Sequence, residues 1–340
     1  MEPEKILTIG IPVFNEEKGI GKNLTNIINI IRTNNLSNCV NILVSNNCST
    51  DNTLSILENF IENNNDIFNF LNNETNIGFD NNVNQVVVSS NTEYVWLLSG
   101  NDTITEQGLL DILRVISEKK PCIVVLDRGY LNKEYEYYED WYKFINNITG
   151  LNICVSCNVI NKNLWINNNI FKYSGSNWIF MGYIIECFNN NIEGGIVIYK
   201  HIIIGDIADE GIKWDDKKGF WLRVGLLLTD LFYYNLHNIY LKKKCCKMMI
   251  GSVFRYSKLI ILARRQTLII SKEIKNQIRR AMFYNKYSFY LFIIPSIYLP
   301  LSFFSFFEIL KKILFYNENF CKLINYFKCH YRYYIKILLH

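Results

Sequence analysis

Short apolar runs alternate with helical patterns four times within the first 125 residues. Residues 5–13, 40–44, 67–71 and 93–98 read as strands, and a fifth falls at 122–126. Between them apolar residues recur at helical spacing, as Ile20, Leu24, Ile27, Ile28 and Ile31 do. This alternation predicts an α/β chain: a doubly wound, mostly parallel sheet with helices on both faces. Ligands bind such sheets outside the C-terminal ends of the strands, so the polar loops that follow strands are where chemistry is expected.

Three loops qualify. Pro12-Val13-Phe14-Asn15-Glu16 follows the first strand. Asn46-Asn47-Cys48-Ser49-Thr50-Asp51 follows the second, with Ser49 or Thr50 as the expected helix cap. Ser99-Gly100-Asn101-Asp102 follows the fourth. A parallel sheet brings all three to one edge. Neither G-x-G-x-x-G nor a Walker A loop is present to cradle phosphates. A bound diphosphate would then need a divalent cation on oxygen ligands. Mg²⁺ or Mn²⁺ suits the amide oxygen of Asn101 and the carboxylate of Asp102.

These loops, with Asn76-Ile77-Gly78-Phe79-Asp80 between the third strand and its helix, stand in an order and spacing that resembles family 2 glycosyltransferases of the GT-A fold. Within the family the chain most resembles the abequosyltransferase-like members. The resemblance covers residues 5–125, continues faintly from Ser156 to Asp206, and fades after about residue 230. It implies transfer of a hexosyl or deoxyhexosyl group from a nucleotide-diphosphate sugar to a hydroxyl, with inversion, and with Mg²⁺ or Mn²⁺ as cofactor. It places Pro12, Phe14 and Glu16 around the base and ribose. Asn46 stands where the family usually has a base-reading Asp, and Asp51 belongs to the motif that braces that loop. Asn76 and Gly78 shape the nucleotide pocket, Gly100 and Asn101 complete it, and Asn101 or Asp102 takes the main metal-ligand position.

Two departures from the family pattern are visible. The acidic metal motif is reduced to Asp102. The acceptor half, where relatives carry a Glu-Asp pair, reads Gly175-Ser176-Asn177-Trp178. An inverting transfer needs a base within hydrogen-bond reach of the acceptor hydroxyl. Glu186, Asp206, Asp209 and the pair Glu139-Asp140 are the candidates, and the expected catalytic set is Asp102, Glu186 and Asp206. An Asn at position 46 can donate to cytosine N3, so a cytidine diphosphate sugar is an expectation too. The alternative to an enzyme is a non-catalytic nucleotide-sugar-binding or scaffold subunit.

Charge divides the chain. In residues 1–240, 17 Lys and Arg against 28 Asp and Glu give −11; in residues 241–340, 19 against 3 give +16. The basic third also holds long apolar-aromatic runs. That combination favours an anionic membrane surface over nucleic acid as partner. Residues 287–307 carry no charge over 21 positions, long enough to span a bilayer, but Pro295 and Pro300 interrupt them. A re-entrant or interfacial segment is expected. No secretory signal is visible in residues 1–17, and ten scattered cysteines fit a reducing cytosol. Cys154 and Cys157 read as strand cysteines, while Cys245-Cys246 is a candidate lipidation site. The expected organisation is a glycosyltransferase domain at 1–215, with a nucleotide-binding half at 1–126 and an acceptor half at 127–215. A helical membrane-associating region follows at 216–340. The expected place is the cytoplasmic face of the inner membrane, and the expected acceptor a lipid-linked or lipopolysaccharide precursor of a bacterial surface glycan.

Overall fold

The computed structural model describes residues 5–126, 135–139, 143–144, 154–192, 194–198, 203–205, 220–250, 253–265, 268–283, 290, 293–302 and 304. Its first part alternates as the sequence predicts. Strand β1 (Leu7–Val13) leads to helix α1 (Ile20–Thr33), β2 (Val40–Asn46) to α2 (Thr53–Asn64), and β3 (Phe68–Asn72) to α3 (Phe79–Ser89). Then come β4 (Tyr94–Leu97), a short β5 (Asp102–Ile104), α4 (Glu106–Lys119) and β6 (Ile123–Leu126). The residues beyond add β7 (Tyr135–Tyr138), a 3-10 turn at Val155–Cys157, β8 (Asn158–Asn161), α5 (Lys162–Asn167), a second 3-10 turn at Ile170–Tyr173, α6 (Ile179–Asn189), β9 (Gly195–Ile198) and β10 (Ile203–Gly205).

Eight strands form one sheet in the order β3-β2-β1-β4-β8-β6-β9-β7, and β5 pairs with β10 in a small second sheet. Six of the eight strands run one way; β8 and β7 run against them. The doubly wound, mostly parallel architecture is therefore present. The antiparallel insertion of β8 between β4 and β6 is not foreshadowed by the alternation. Cys154 and Cys157, expected in a strand, instead precede and end a 3-10 turn, and the strand begins at Asn158.

Period-two alternation explains the layers. Leu7, Ile9, Ile11, Ile42, Val44, Tyr94 and Trp96 point to one face and pack with α1, α2 and α4 side chains. Val95, Leu97, Ile123, Val125 and Ile160 point to the other and pack with α3 and α6. Gly10 is the close-approach point of the second layer, since a Cβ there would collide with Val86 of α3.

Further helices among the described residues are α7 (Phe220–Asn235), α8 (Ile239–Ile250), α9 (Val253–Arg265), α10 (Lys272–Ala281) and α11 (Ile294–Tyr298). The first two of them pack on the sheet side. Leu228 and Phe232 of α7, with Leu241, Cys245 and Cys246 of α8, join the cluster built by α3, α6 and the sheet. Leu222 and Leu226, earlier on α7, instead join a second cluster with Ile260, Ala263, Ile278 and Ile297. The expected boundary at 215/216 thus precedes a helix that belongs to both cores. Among the described residues no helix is long and apolar enough to cross a membrane. Within the uncharged run, α11 has Pro295 in its first turn and ends before Pro300. Cys245 and Cys246 are buried, and burial pushes the Cys246 thiol up to about 12. That overturns the lipidation expectation, because neither sulfur is accessible for acylation in the folded chain.

Candidate active site

The three loops meet at the C-terminal edge of β1, β2 and β4, and specific hydrogen bonds lock them together. Asp51 holds loop one to loop two. Its carboxylate accepts from Glu17 N at 3.1 Å, Thr53 N at 3.0 Å and Thr53 Oγ1 at 2.5 Å. Burial alone would raise its pKa, but these donors outweigh it and hold the carboxyl below the usual aspartate value. Thr53 Oγ1 also accepts from Glu16 N at 2.9 Å. Asn15 adopts a left-handed φ of 55°, donates its N–H to Ser49 Oγ at 2.9 Å and accepts from Thr50 N at 2.8 Å. Ser49 and Thr50 therefore tie the loops rather than cap α2, whose N-cap is Asn52 without a side-chain bond.

Loop three is held from below and from the side. Asn23 Nδ2 of α1 donates to Ser99 O at 2.9 Å. Ser99 Oγ donates to Asn101 Oδ1 at 2.7 Å. Ser156, fully buried in the 3-10 turn before β8, accepts from Ser99 N at 2.9 Å and donates to Asp102 Oδ2 at 2.5 Å. Gly100 lets loops one and three close on each other, since a Cβ would stand 2.9 Å from Val13 Cγ1 and 3.2 Å from Glu16 Cγ. Glu16 feels the result. Burial, then the charges of Asp51 and Asp102, raise its carboxyl above the ordinary glutamate value. The edge thus gathers acidic groups from all three loops.

Asparagines fill the space between strand ends. Asn46 is only 1% exposed; its Nδ2 donates to Asn72 Oδ1 at 2.8 Å and its Oδ1 accepts from Ser49 Oγ at 2.5 Å. Asn47 donates to Asn76 Oδ1 at 3.0 Å and accepts from Ile77 N at 2.9 Å. Asn82 accepts from Ser45 Oγ at 2.7 Å and donates to Ser45 O at 3.0 Å. Asn76 also accepts from Gly78 N, and Gly78 has a φ of 82° that favours glycine. Both ends of the Asn46 amide thus brace the loop. Phe14 is 44% exposed on loop one, and Pro12 is half-buried beside it.

The loop before α6 is fastened by a residue to which the sequence reading gave no role. Asp80, buried in the first turn of α3, accepts from Asn177 N at 2.7 Å, Ile179 N at 3.2 Å and Ser176 Oγ at 3.5 Å. It thereby caps α6 across nearly a hundred residues. Burial raises its carboxyl despite the backbone donors. Of the base candidates, Glu186 lies seven residues beyond the start of α6, about 10 Å along at 1.5 Å per residue. There it accepts from Tyr173 Oη at 2.6 Å and pairs with Lys172 at 3.0 Å. Burial would raise its carboxyl, but Tyr173 and Lys172 win and hold it below the ordinary glutamate value. Neither partner belongs to the three loops. Asp206, Asp209 and Asp140 lie outside the described residues, though Gly205 is in register with Asp102 across the β5–β10 pair. Glu139 is exposed after β7.

A divalent cation fits this edge in one respect. Asp102 and Asn101 offer hard oxygen atoms on neighbouring residues, and Mg²⁺ is commonly held by one or two carboxylates plus substrate phosphates and water. Among the described residues no cluster of three His, Cys, Asp or Glu is placed to hold a metal ion unaided.

The sequence matches the model for Glycosyl transferase family 2 over residues 8–187, which contains all three loops and α6 as far as Cys187. The chain belongs to glycosyl transferase family 2. This family 2 protein also shares its fold with solved structures. The crystal structure of S. aureus TarS 1–349 superposes with a TM-score of 0.54 at 16% identity, covering 82% of this chain and 79% of that one. The same protein in complex with UDP-GlcNAc gives 0.54 at 15%, with the same coverage. The mannosyltransferase PcManGT from Pyrobaculum calidifontis, in complex with GDP-Man and Mn²⁺, gives 0.50 at 13%, covering 84% and 88%. At such identities the likeness establishes the fold. No curated protein matches the sequence.

Proposed function

We propose that this family 2 protein transfers a hexosyl or deoxyhexosyl group from a nucleotide-diphosphate sugar to a hydroxyl of a bacterial surface-glycan precursor. The acceptor is lipid-linked or part of lipopolysaccharide, and the work is done at the cytoplasmic face of the inner membrane. The observation that carries the reading is the locked convergence of Glu16, Asp51 and Asp102 from three strand ends at the edge where α/β sheets bind ligands. Motifs resembling the abequosyltransferase-like members support a deoxyhexose donor.

In this reading Phe14 and Pro12 flank the base, and Asp51 and Asn76 keep the pocket loops in place. Asp102 and Asn101 would hold Mg²⁺ or Mn²⁺, which supplies charge stabilisation to the departing diphosphate. Ser156 holds the Asp102 carboxylate in one orientation. Glu16 sets the proton and charge balance beside it.

A second reading, a nucleotide-sugar-binding subunit without turnover, rests on one specific observation. At the N-terminus of α6 the chain has Ser176 and Asn177, and the carboxylate beside them, Asp80, is engaged with backbone donors. Hydrolysis of a panel of uridine, cytidine, guanosine and deoxythymidine diphosphate sugars, with Mn²⁺, Mg²⁺ or chelator, separates the two. Metal-dependent release of one nucleotide by wild type but not by Asp102→Ala supports the transferase. Tight nucleotide binding with no release, even with extracted glycan acceptors present, supports the subunit.

A further inference from the structure

Away from the strand ends, α10 and α11 enclose two adjoining grooves of about 380 and 260 Å³ that share Lys275 and Ile297. Their construction is specific. Arg264 of α9 donates to Ser296 O at 2.7 Å and Leu299 O at 2.9 Å, fixing the C-terminal end of α11. Ile278 and Ala281 turn α10 toward the second core, while Ser271 caps its N-terminus by accepting from Ile274 N at 3.2 Å. At about 3.6 residues per turn, Lys272, Lys275 and Arg279 fall within an arc of about 60°. Glu273 lies about 100° from Lys272 on the other side, toward the stripe where Gln277 and Arg280 bind Asp230 of α7. Neither Lys272 nor Arg279 has an acidic partner among the described residues.

Beside this cationic stripe the surface is apolar. Ile269, in the turn before α10, is 82% exposed, and Tyr290 and Tyr298 are 62% and 60% exposed. Lys275 Nζ lies 4.6 Å from the Tyr298 ring centroid, so its stem runs along the aromatic ring. A bare aliphatic tip, two tyrosines and a one-sided row of cations match the layers of a bilayer surface: acyl boundary, headgroup level and anionic phosphate.

We propose that the α10–α11 face docks the protein on an anionic phospholipid bilayer. A lipid phosphodiester lies between Lys275 and Arg279, and Ile269 enters the acyl boundary. The site is thus Ile269, Lys272, Lys275, Arg279, Tyr290 and Tyr298, rather than the uncharged run at 287–307 by itself. This inference rests on the membrane-acceptor reading above for its purpose, although the binding can be measured without it.

The test is flotation of the full chain with vesicles of phosphatidylcholine, with and without phosphatidylglycerol. Wild type should bind only the anionic vesicles and weaken as salt is raised. The double variant Lys275→Gln/Arg279→Gln should bind about 30-fold more weakly, since each basic residue near such a surface contributes about five-fold. Ile269→Asp should lose at least about ten-fold; its side chain is exposed, so this variant stands even if the double variant fails to fold. Equal binding to neutral and anionic vesicles, or wild-type binding by both variants, would overturn the proposal. So would tighter binding to a nucleic-acid duplex than to anionic vesicles. Donor turnover by wild type is followed alongside, with extracted glycan acceptors present: vesicle binding without turnover would sink the transferase reading and leave the docking surface in place.

Discussion

Ser156 donates its hydroxyl to Asp102 at 2.5 Å from a turn 54 residues further along the chain. A residue from the turn before β8 therefore aims a carboxylate that lies on loop three. Ser156→Ala removes that donor and leaves Ser99 N without its partner. The expected cost is about 1–3 kcal/mol of stability. The apparent Mn²⁺ affinity should also fall by about ten-fold, read by metal titration of donor release. Ser156→Thr, which restores the hydroxyl in a fully buried space, should recover metal affinity in part.

Glu16 predicts a pH dependence. Its carboxyl is raised above the unfolded value, so the folded state binds the proton more tightly. Its stabilising contribution is then full below the unfolded value of about 4.3 and is lost as pH rises through the higher folded value. Wild type should lose stability across that window, while Glu16→Gln should flatten the curve and melt higher at neutral pH. Adding Mn²⁺ should narrow the difference in wild type but not in Asp102→Ala. Thermal melts from pH 4 to 8 check all three statements.

Asp51 has the opposite sign. Its carboxyl is held below the unfolded value, so its contribution is present above about pH 3.9 and disappears as pH falls through the folded value. Asp51→Asn should lose about 1–3 kcal/mol at neutral pH through weakened bonds to Thr53 and Glu17. The difference from wild type should vanish in strong acid. Denaturant unfolding at pH 7 and pH 2.5 gives the comparison.

Glu186 is expected to be structural. Glu186→Gln should leave the turnover number within about three-fold of wild type and lower the melting temperature, because Tyr173 and Lys172 lose a charged partner. A loss of turnover by about a hundred-fold or more, with the binding of donor intact, would restore it as a general base.

The first four βα units were legible because their periodicity is local: Ile20, Leu24, Ile27 and Ile31 are core residues of one helix whatever lies elsewhere. The loops were legible because each follows an apolar strand. The antiparallel direction of β8 and its place in the sheet were not, since its neighbours β4 and β6 are set by pairing across more than thirty residues. The bracing roles of Asn46, Asn47 and Asn82 were hidden by the abundance of Asn throughout the chain. Ser156 and Asp80 gave no local sign of their reach, because a capping bond between distant segments leaves no spacing to read. An aspartate in the first turn of α3, ahead of a left-handed Gly175 and Asn177, was the faint signal available.

Helix α7 places Leu222 and Leu226 in one core and Leu228 and Phe232 in the other. A rod clamped at both ends transmits orientation. In the proposed docking, the tilt of the α10–α11 face is passed through α7 to the strand ends, so the height and angle of Asp102 above the bilayer are settled by packing rather than by a tether's reach.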